Sequence, residues 1–224
     1  MEVNTNDKGE IVVKLQVAID RVSIEKAIEI IEEVKDYADI IEIGTSLIKD
    51  FGLESVRRIR EKFPNVTILA DIKTVDEAEY EFEAIYKAGA DIATVLGCAS
   101  LETIRICKRV ANKYKKDYLI DLIEVSKEKQ EALKEFNDGI ICVHMPSDNN
   151  GQDLENLINS SIENLKSFNR LAVAGGVTKD NINIIKEYNF HIAIVGGAIT
   201  KAKDIKKEAK ELKKLLGDEK NGSF

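Results

Sequence analysis

The sequence predicts a single-domain (β/α)8 barrel, in which eight parallel strands form a closed ring and a helix follows each strand. Short β-branched runs alternate eight times with amphipathic stretches, and no Gly-, Ser- or Pro-rich linker divides the chain. The length of 224 residues is normal for this fold. An open doubly wound sheet usually stops at about five or six strands, so eight units favour closure into a ring.

The strands are predicted from runs that are apolar nearly throughout, which is typical of a parallel sheet covered by helices on its outer face. We expect them at Leu15–Ile19, Ile40–Ile43, Thr67–Ala70, Ile92–Leu96, Tyr118–Leu122, Gly139–Val143, Leu171–Ala174 and Ile192–Val195. The predicted TIM barrel spans residues 14–216. Residues 1–13 are predicted to form a polar N-terminal extension, and residues 217–224 a C-terminal tail.

The helices are predicted from apolar residues that repeat with a period of about 3.6. The first such set is Ile24, Ala27, Ile28, Ile31 and Val34, and the last is Ala202, Ile205, Ala209, Leu212 and Leu216. In the last helix, lysines alternate with Glu208 and Glu211, which favours a solvated face over a nucleic-acid patch. Thr74 and Glu77 have the spacing of a capping box, which predicts the start of the third helix there.

Composition excludes several classes of function. The formal net charge of −7 argues against a general nucleic-acid or membrane surface. The first thirty residues do not have the pattern of a signal peptide, and no apolar run is long enough to span a bilayer. The three cysteines lack CxxC spacing, which favours buried free thiols. We therefore expect a cytoplasmic protein that binds neither nucleic acid nor membrane.

Ionisable residues collect at the ends of the predicted strands, where barrels of this kind carry their chemistry. They are Asp20 after the first strand, Glu42 on the second, Asp71, Lys73 and Asp76 at the third, Asp121 and Glu124 at the fifth, and His144 at the sixth. Asp71 and Lys73 are two residues apart, so an extended strand points both to one side. Carboxylates around one lysine shift each other's pKa, as in acid–base sites. A salt-bridge network that merely closes the barrel top is the alternative, and it stays open for Asp121.

The same residues indicate a metal and a phosphate. Glu42 and Asp71, on adjacent strands, are oxygen ligands without sulfur or clustered histidine, which suits Mg²⁺. His144 is interpreted as a proton shuttle rather than a core histidine. Gly175–Gly176 and Gly196–Gly197 follow strands seven and eight, where exposed backbone N–H groups form the phosphate site of many such barrels. We expect a small sugar phosphate as substrate.

The run LADIKTVD resembles the D-x-K-x-x-D motif of the orotidine 5'-monophosphate decarboxylase superfamily. Within it, the chain is most similar to the 3-hexulose-6-phosphate synthases. The segments that match are LQVAID, DIIEIGTSLIKDFG, TILADIKTVDEAEYE, AGADIATVLGCAS, DLIEV, ICVH, AVAGGV and IVGGAIT. They cover nearly the whole chain in order. The resemblance implies a reversible aldol reaction in which D-ribulose 5-phosphate and formaldehyde give D-arabino-hex-3-ulose 6-phosphate.

The resemblance also implies roles for the residues at the strand ends. Glu42 and Asp71 would bind Mg²⁺ or Mn²⁺, and Lys73 would support the oxygens of an enediolate. Asp20 would contact substrate hydroxyls or metal-bound water.

Proton transfer and phosphate binding follow in the same way. His144 and Asp76 would transfer protons, and Gly175, Gly176, Gly196 and Gly197 would hold the phosphate. Relatives form homodimers with shared active sites, so Asp76 would reach into the partner's site.

Three alternatives are weighed. A 3-keto-L-gulonate 6-phosphate decarboxylase would carry arginines after the strand-eight glycine and the strand-six histidine, where this chain reads VGGAIT and HMPSDNNG. The synthases usually have a small residue and glycine after that histidine, whereas Met145 and Pro146 follow here, which leaves substrate preference open. A ribulose-phosphate epimerase would need more histidines than two. A non-catalytic sugar-phosphate-binding barrel would not need a costly buried charge cluster.

Overall fold

A computed structural model describes residues 12–146, 148 and 153–217. Within them, eight parallel strands form a closed barrel in sequence order, and β8 pairs with β1. The strands are β1 Lys14–Ile19, β2 Ile40–Ile43, β3 Ile68–Thr74, β4 Ile92–Leu96, β5 Asp117–Asp121, β6 Ile140–His144, β7 Leu171–Ala174 and β8 Ile192–Val195. The predicted (β/α)8 fold is confirmed.

The helices form an outer layer around this barrel. They are α1 Ile24–Val34, α2 Thr45–Phe51, α3 Leu53–Lys62, α4 Ala78–Ala88, α5 Leu101–Tyr114, α6 Lys127–Ala132, α7 Leu154–Leu165, α8 Ile182–Glu187, α9 Gly197–Thr200 and α10 Ile205–Leu215. Short 3-10 segments cover Leu133–Phe136 and Lys179–Asn181. Ser23, Ser100 and Asp204 cap α1, α5 and α10 by accepting backbone N–H groups of the first turn. In the described ranges, no helix is long and apolar enough to cross a bilayer.

Two apolar layers arise because successive strand residues face opposite sides. The outward-facing residues pack under the helices in the larger cluster. The inward-facing residues fill the barrel and include Ile40, Leu69, Ile92, Leu119, Ile140, Ala172 and Ile192. Two residues further along β2, β3, β4 and β5, the inward row becomes polar, with Glu42, Asp71, Thr94 and Asp121. Strand periodicity therefore brings these four side chains to one end of the barrel interior.

Some local predictions need correction. β3 extends to Thr74 instead of ending at Ala70, so Asp71 and Lys73 lie within the strand. The capping-box prediction is wrong, because Thr74 stays in β3 opposite Val95 and α4 begins at Ala78 without a side-chain cap. The Thr74 hydroxyl instead donates to the carboxylate of Glu81.

The predicted termini and thiols also differ in part. Val13, assigned to the polar extension, is buried and donates its N–H to the carbonyl of Leu216 at 3.0 Å. Cys107 and Cys142 are buried free thiols as predicted, whereas Cys98 is exposed. Residues 1–11 and 218–224 of the predicted extension and tail lie outside the described residues.

Candidate active site

Lys73 lies at the centre of a charge cluster at the carboxyl end of the barrel. Its ammonium Nζ lies 2.7 Å from Asp71 Oδ2 and 3.2 Å from Asp121 Oδ2. Burial lowers the pKa of Lys73, but the two carboxylates outweigh it and raise the pKa above its ordinary value. Lys73 is therefore a fixed cation in this site and not a base.

The backbone at Lys73 leaves extended geometry. Its φ angle is +49°, and the pairing of β3 with β4 shifts register between Ala70 and Thr74. The prediction that an extended strand points Asp71 and Lys73 to one side is therefore wrong, because the backbone at Lys73 is not extended. The two side chains are nevertheless in contact. Thr94 of β4 supports this bulge, because its hydroxyl accepts the Lys73 N–H at 2.8 Å and donates to Asp71 Oδ1 at 2.9 Å.

Asp71 is surrounded by donors. Besides Lys73 and Thr94, the hydroxyl of Thr45, the first residue of α2, donates to Asp71 Oδ2 at 2.6 Å. Asp71 is only 7% exposed, so its carboxylate has lost most of its contact with water. These hydrogen-bond donors replace that water. Asp71 is thus held in a single orientation at the barrel mouth.

Asp121 connects Lys73 to His144. Its Oδ2 lies 2.7 Å from His144 Nδ1, and its Oδ1 accepts the N–H of Ile123 at 2.9 Å. Burial raises the pKa of Asp121, but His144 and Lys73 outweigh this effect and lower it. Because an ionised carboxylate accepts hydrogen bonds only, Nδ1 of His144 donates and Nε2 remains available as an acceptor. Asp121 therefore braces both the lysine and the histidine, contacts that fit an acid–base site as well as a salt-bridge network.

Glu42 is the most strongly perturbed acid of the cluster. Burial, followed by the charge of Asp71, raises its pKa to about 8, while Gln16 and Lys73 oppose the rise. Its Oε2 accepts a hydrogen bond from Gln16 Nε2 at 2.6 Å. Because the charge of Asp71 disfavours ionisation of Glu42, this pair is a favourable place for a cation.

Asp20 follows β1 at the same end of the barrel. Its Oδ1 accepts from the hydroxyl of Ser46 at 2.7 Å and from the Ser46 N–H at 3.2 Å. A β-carbon at Gly44 would lie 2.3 Å from the Asp20 carboxyl group, so only glycine admits this approach. Asp20 is exposed, and its charge reaches Glu42, which places it at the rim of the cluster.

The predicted phosphate glycines lie after β7 and β8. Gly175 and Gly176 have φ angles of +83° and +73°, and α9 begins at Gly197. Met145 packs over the first pair, since a β-carbon at Gly176 would lie 2.6 Å from its Cε atom. Of the strand-six loop, Ser147 and residues 149–152 lie outside the described residues.

Asp76 is not brought into the cluster within a single chain. It lies exposed in the turn between β3 and α4, and in the described part of the chain its carboxylate makes no hydrogen bond or ion pair. The structure thus assembles Glu42, Asp71, Lys73 and His144, has Asp20 at the rim, and leaves the Asp76 carboxylate without a hydrogen bond or ion pair among the described residues.

Comparison with known proteins shows the family of this chain. Residues 13–212 match the model of the orotidine 5'-phosphate decarboxylase / HUMPS family. The chain belongs to this family. A 3-hexulose-6-phosphate synthase of Bacillus subtilis (strain 168) is 38% identical over 212 residues, which cover 91% of this chain and 98% of the relative.

Solved structures of the family agree with that comparison. A crystal structure of a 3-hexulose-6-phosphate synthase is 36% identical with a TM-score of 0.84, over 91% of this chain and 99% of that one. A 3-keto-L-gulonate-6-phosphate decarboxylase of Vibrio cholerae O1 biovar El Tor str. N16961 has a TM-score of 0.81 over 91% and 97%. At 23% identity, it shows the shared fold alone. The resemblance drawn from the motifs is confirmed, and with it the prediction of an enzyme of the synthase type, a lyase.

The residues of this family member fit a hard divalent cation. In the described ranges, no group of three or more His, Cys, Asp or Glu side chains has the arrangement of a full metal site. Mg²⁺, however, takes one or two carboxylates and completes its shell with water and substrate oxygens. The donor set of Glu42 and Asp71, with the raised pKa of Glu42, has this character.

Several contributors were not predicted from the sequence. Thr45 and Thr94 bind Asp71, and Gln16 binds Glu42. The sequence signal for Gln16 is an amide in the otherwise apolar run LQVAI. Threonine is common in strands, so its presence at position 94 does not predict a role in the site.

Proposed function

We propose that this chain is a Mg²⁺- or Mn²⁺-dependent aldolase that condenses formaldehyde with D-ribulose 5-phosphate, reversibly, to give D-arabino-hex-3-ulose 6-phosphate. The observation that carries the proposal is Lys73, which two buried carboxylates hold as a cation beside the Glu42–Asp71 pair. A fixed positive charge at this place stabilises an anion that forms only during the reaction.

The reaction begins with loss of a proton from C1 of the ketose. We assign this step to His144, and the contact of Asp121 with Nδ1, which leaves Nε2 as the base, supports the assignment. The resulting enediolate carries its new negative charge on the C2 oxygen, shared with C1, and the Lys73 ammonium donates to this oxygen. When a divalent metal is bound by Glu42 and Asp71, it adds Lewis-acid stabilisation of the same charge.

Carbon–carbon bond formation completes the sequence. The C1 carbon of the enediolate attacks formaldehyde, and the new alkoxide takes up a proton from protonated His144 to become the terminal hydroxyl. The former C2 carbonyl becomes C3 of the hexulose. Asp20, at the rim, is the hydrogen-bond acceptor for substrate hydroxyls, and the backbone at the two glycine pairs binds the phosphate.

A homodimer with shared sites gives Asp76 its role. Val75 and Tyr80, on either side of Asp76 in sequence, are apolar or aromatic yet 50% and 72% exposed. Exposed residues of this size support an interface at this turn. A partner chain docked here receives Asp76 in its barrel mouth, where the carboxylate takes part in proton transfer.

The test is formaldehyde consumption with ribulose 5-phosphate and Mg²⁺, with and without a chelator. Loss of formaldehyde that stops on chelation is the expected result. If formaldehyde persists under both conditions and 3-keto-L-gulonate 6-phosphate is decarboxylated instead, the synthase proposal fails. If the protein binds ribulose 5-phosphate equally well with and without chelator but does not convert it, the chain is a non-catalytic binder.

A further inference from the structure

Gln16 is an amide in the middle of an apolar barrel interior. It lies on β1 at the level of Ile40 on β2 and Ile194 on β8, and the side chain is completely buried. Its chain neighbours Leu15 and Val17 face the helices, so Gln16 points into the barrel.

Burial of this amide is unfavourable at one end. Gln16 Oε1 is the one buried side-chain oxygen or nitrogen in the described residues without a hydrogen-bond partner. A buried carbonyl without a donor carries its full desolvation penalty. A leucine or methionine would fill the same layer without that penalty, so packing does not explain the amide.

The other end of the amide contacts the proposed metal site. Gln16 Nε2 donates to Glu42 Oε2 at 2.6 Å. In the described chain this is the only hydrogen bond of the Glu42 carboxylate, so one oxygen is anchored and the second stays available to a ligand. Partners behind a ligand in this way fix its orientation and commonly control metal affinity.

We propose that Gln16 is a positioning residue that orients Glu42 for divalent-metal binding. The proposal rests on the proposed function only in taking Glu42 as a metal ligand. Gln16 does not touch substrate or metal, and acts through the carboxylate that it holds.

Mn²⁺ binding to Gln16→Leu tests this directly, with free Mn²⁺ followed by electron paramagnetic resonance and thermal unfolding followed without metal. The expected dissociation constant rises about 10- to 100-fold. The metal-free melting temperature stays the same or rises, because the unpaired carbonyl is gone. Gln16→Met, which keeps the length of the side chain and removes the donor, gives the same result if leucine disturbs packing.

Gln130→Leu is the matched control. Gln130 is also buried but lies on α6, where its amide nitrogen donates, among the described residues, only to the Val125 carbonyl at 3.4 Å. This control keeps wild-type Mn²⁺ affinity. Unchanged affinity in Gln16→Leu and Gln16→Met, or an equal loss in Gln130→Leu, overturns the positioning role.

Glu42→Gln separates the two proposals. If Glu42 is a ligand, this variant weakens Mn²⁺ binding, and adding Gln16→Leu weakens it no further. A further loss in the double variant shows that Gln16 acts by another route and overturns the inference alone. Normal Mn²⁺ binding by Glu42→Gln contradicts the metal site of the proposed function itself.

Discussion

Replacing Lys73 by methionine removes the one cation that Asp71 and Asp121 share. The two carboxyl side chains are 10% and 3% exposed, so the variant leaves two buried charges close together. Removing one partner of a fully buried ion pair costs about 3–5 kcal/mol of unfolding free energy. Because the Lys73 side chain is 24% exposed and solvent screens part of the interaction, we expect about 2–3 kcal/mol. In a domain of this size, this lowers the melting temperature by about 4–12 °C.

The stability deficit of Lys73→Met depends on pH. In the native protein, the pKa of Asp121 is lowered. Its contribution to stability is therefore present when the pH is above the pKa of the unfolded state, and it is lost as pH falls. Without Lys73 that contribution shrinks, and the difference between variant and wild type is largest near neutral pH. This difference in stability disappears below about pH 4, the ordinary pKa of an aspartate.

Activity falls separately from stability. Loss of one preorganised donor to a developing oxyanion lowers kcat by about 10²–10³-fold. Formaldehyde consumption, measured below the melting temperature of the variant, reports this loss. Lys179→Met is the control, because Lys179 also bridges two carboxylates, Glu208 and Glu211, but at the protein surface. Near-normal kcat in Lys73→Met, or an equal loss in Lys179→Met, would refute the role assigned to Lys73.

Three further predictions concern neighbouring groups. Because the folded-state pKa of Glu42 is raised to about 8, the metal-free protein loses stability as pH rises from about 4.3 to about 8. Thermal melts should show that Glu42→Gln removes this dependence of stability on pH, and an unchanged dependence contradicts the assignment. Asp121→Asn releases His144 and lowers kcat by about 10²–10⁴-fold with a smaller change in KM, and steady-state kinetics that show only a KM effect would contradict its positioning role. Gly175→Ala places a β-carbon 2.3 Å from the Met145 carbonyl oxygen at a φ of +83°. We therefore expect the unfolding free energy from chemical denaturation to fall by about 1–3 kcal/mol and the KM for the sugar phosphate to rise. Wild-type values for both would show that the backbone here is not strained.

The fold was predictable because two simple rules agree along the whole chain. Runs that are apolar nearly throughout alternate with amphipathic helices, and the strand ends at one edge carry Glu42, Asp71 and His144. The alternation of each strand explains why these side chains face the barrel interior near its carboxyl end. No knowledge of the loops is needed for that prediction.

The bulge at β3 could not be predicted in the same way. A lysine with a φ of +49° has no sequence signature, and the spacing of Thr74 and Glu77 favours a helix start that the structure does not adopt. Thr74 stays in the strand because its backbone pairs with β4 and its hydroxyl binds Glu81. Long-range pairing therefore outweighs local capping chemistry. Asp76 is a different case, because its proposed role lies in a second chain.

The balance of charge within the cluster favours separate places for the metal and the phosphate of the proposed reaction. Glu42, Asp71 and Asp121 face a single lysine, so the acidic side has an excess of negative charge that a proton on Glu42 or a divalent cation neutralises. The same excess repels a phosphate dianion. In a ring of eight strands, β3 lies across the mouth from β7, where glycine backbones replace acids. In the proposed reaction, a pentulose phosphate that spans the mouth would therefore have its phosphate on the glycine side and its reacting carbons beside Lys73.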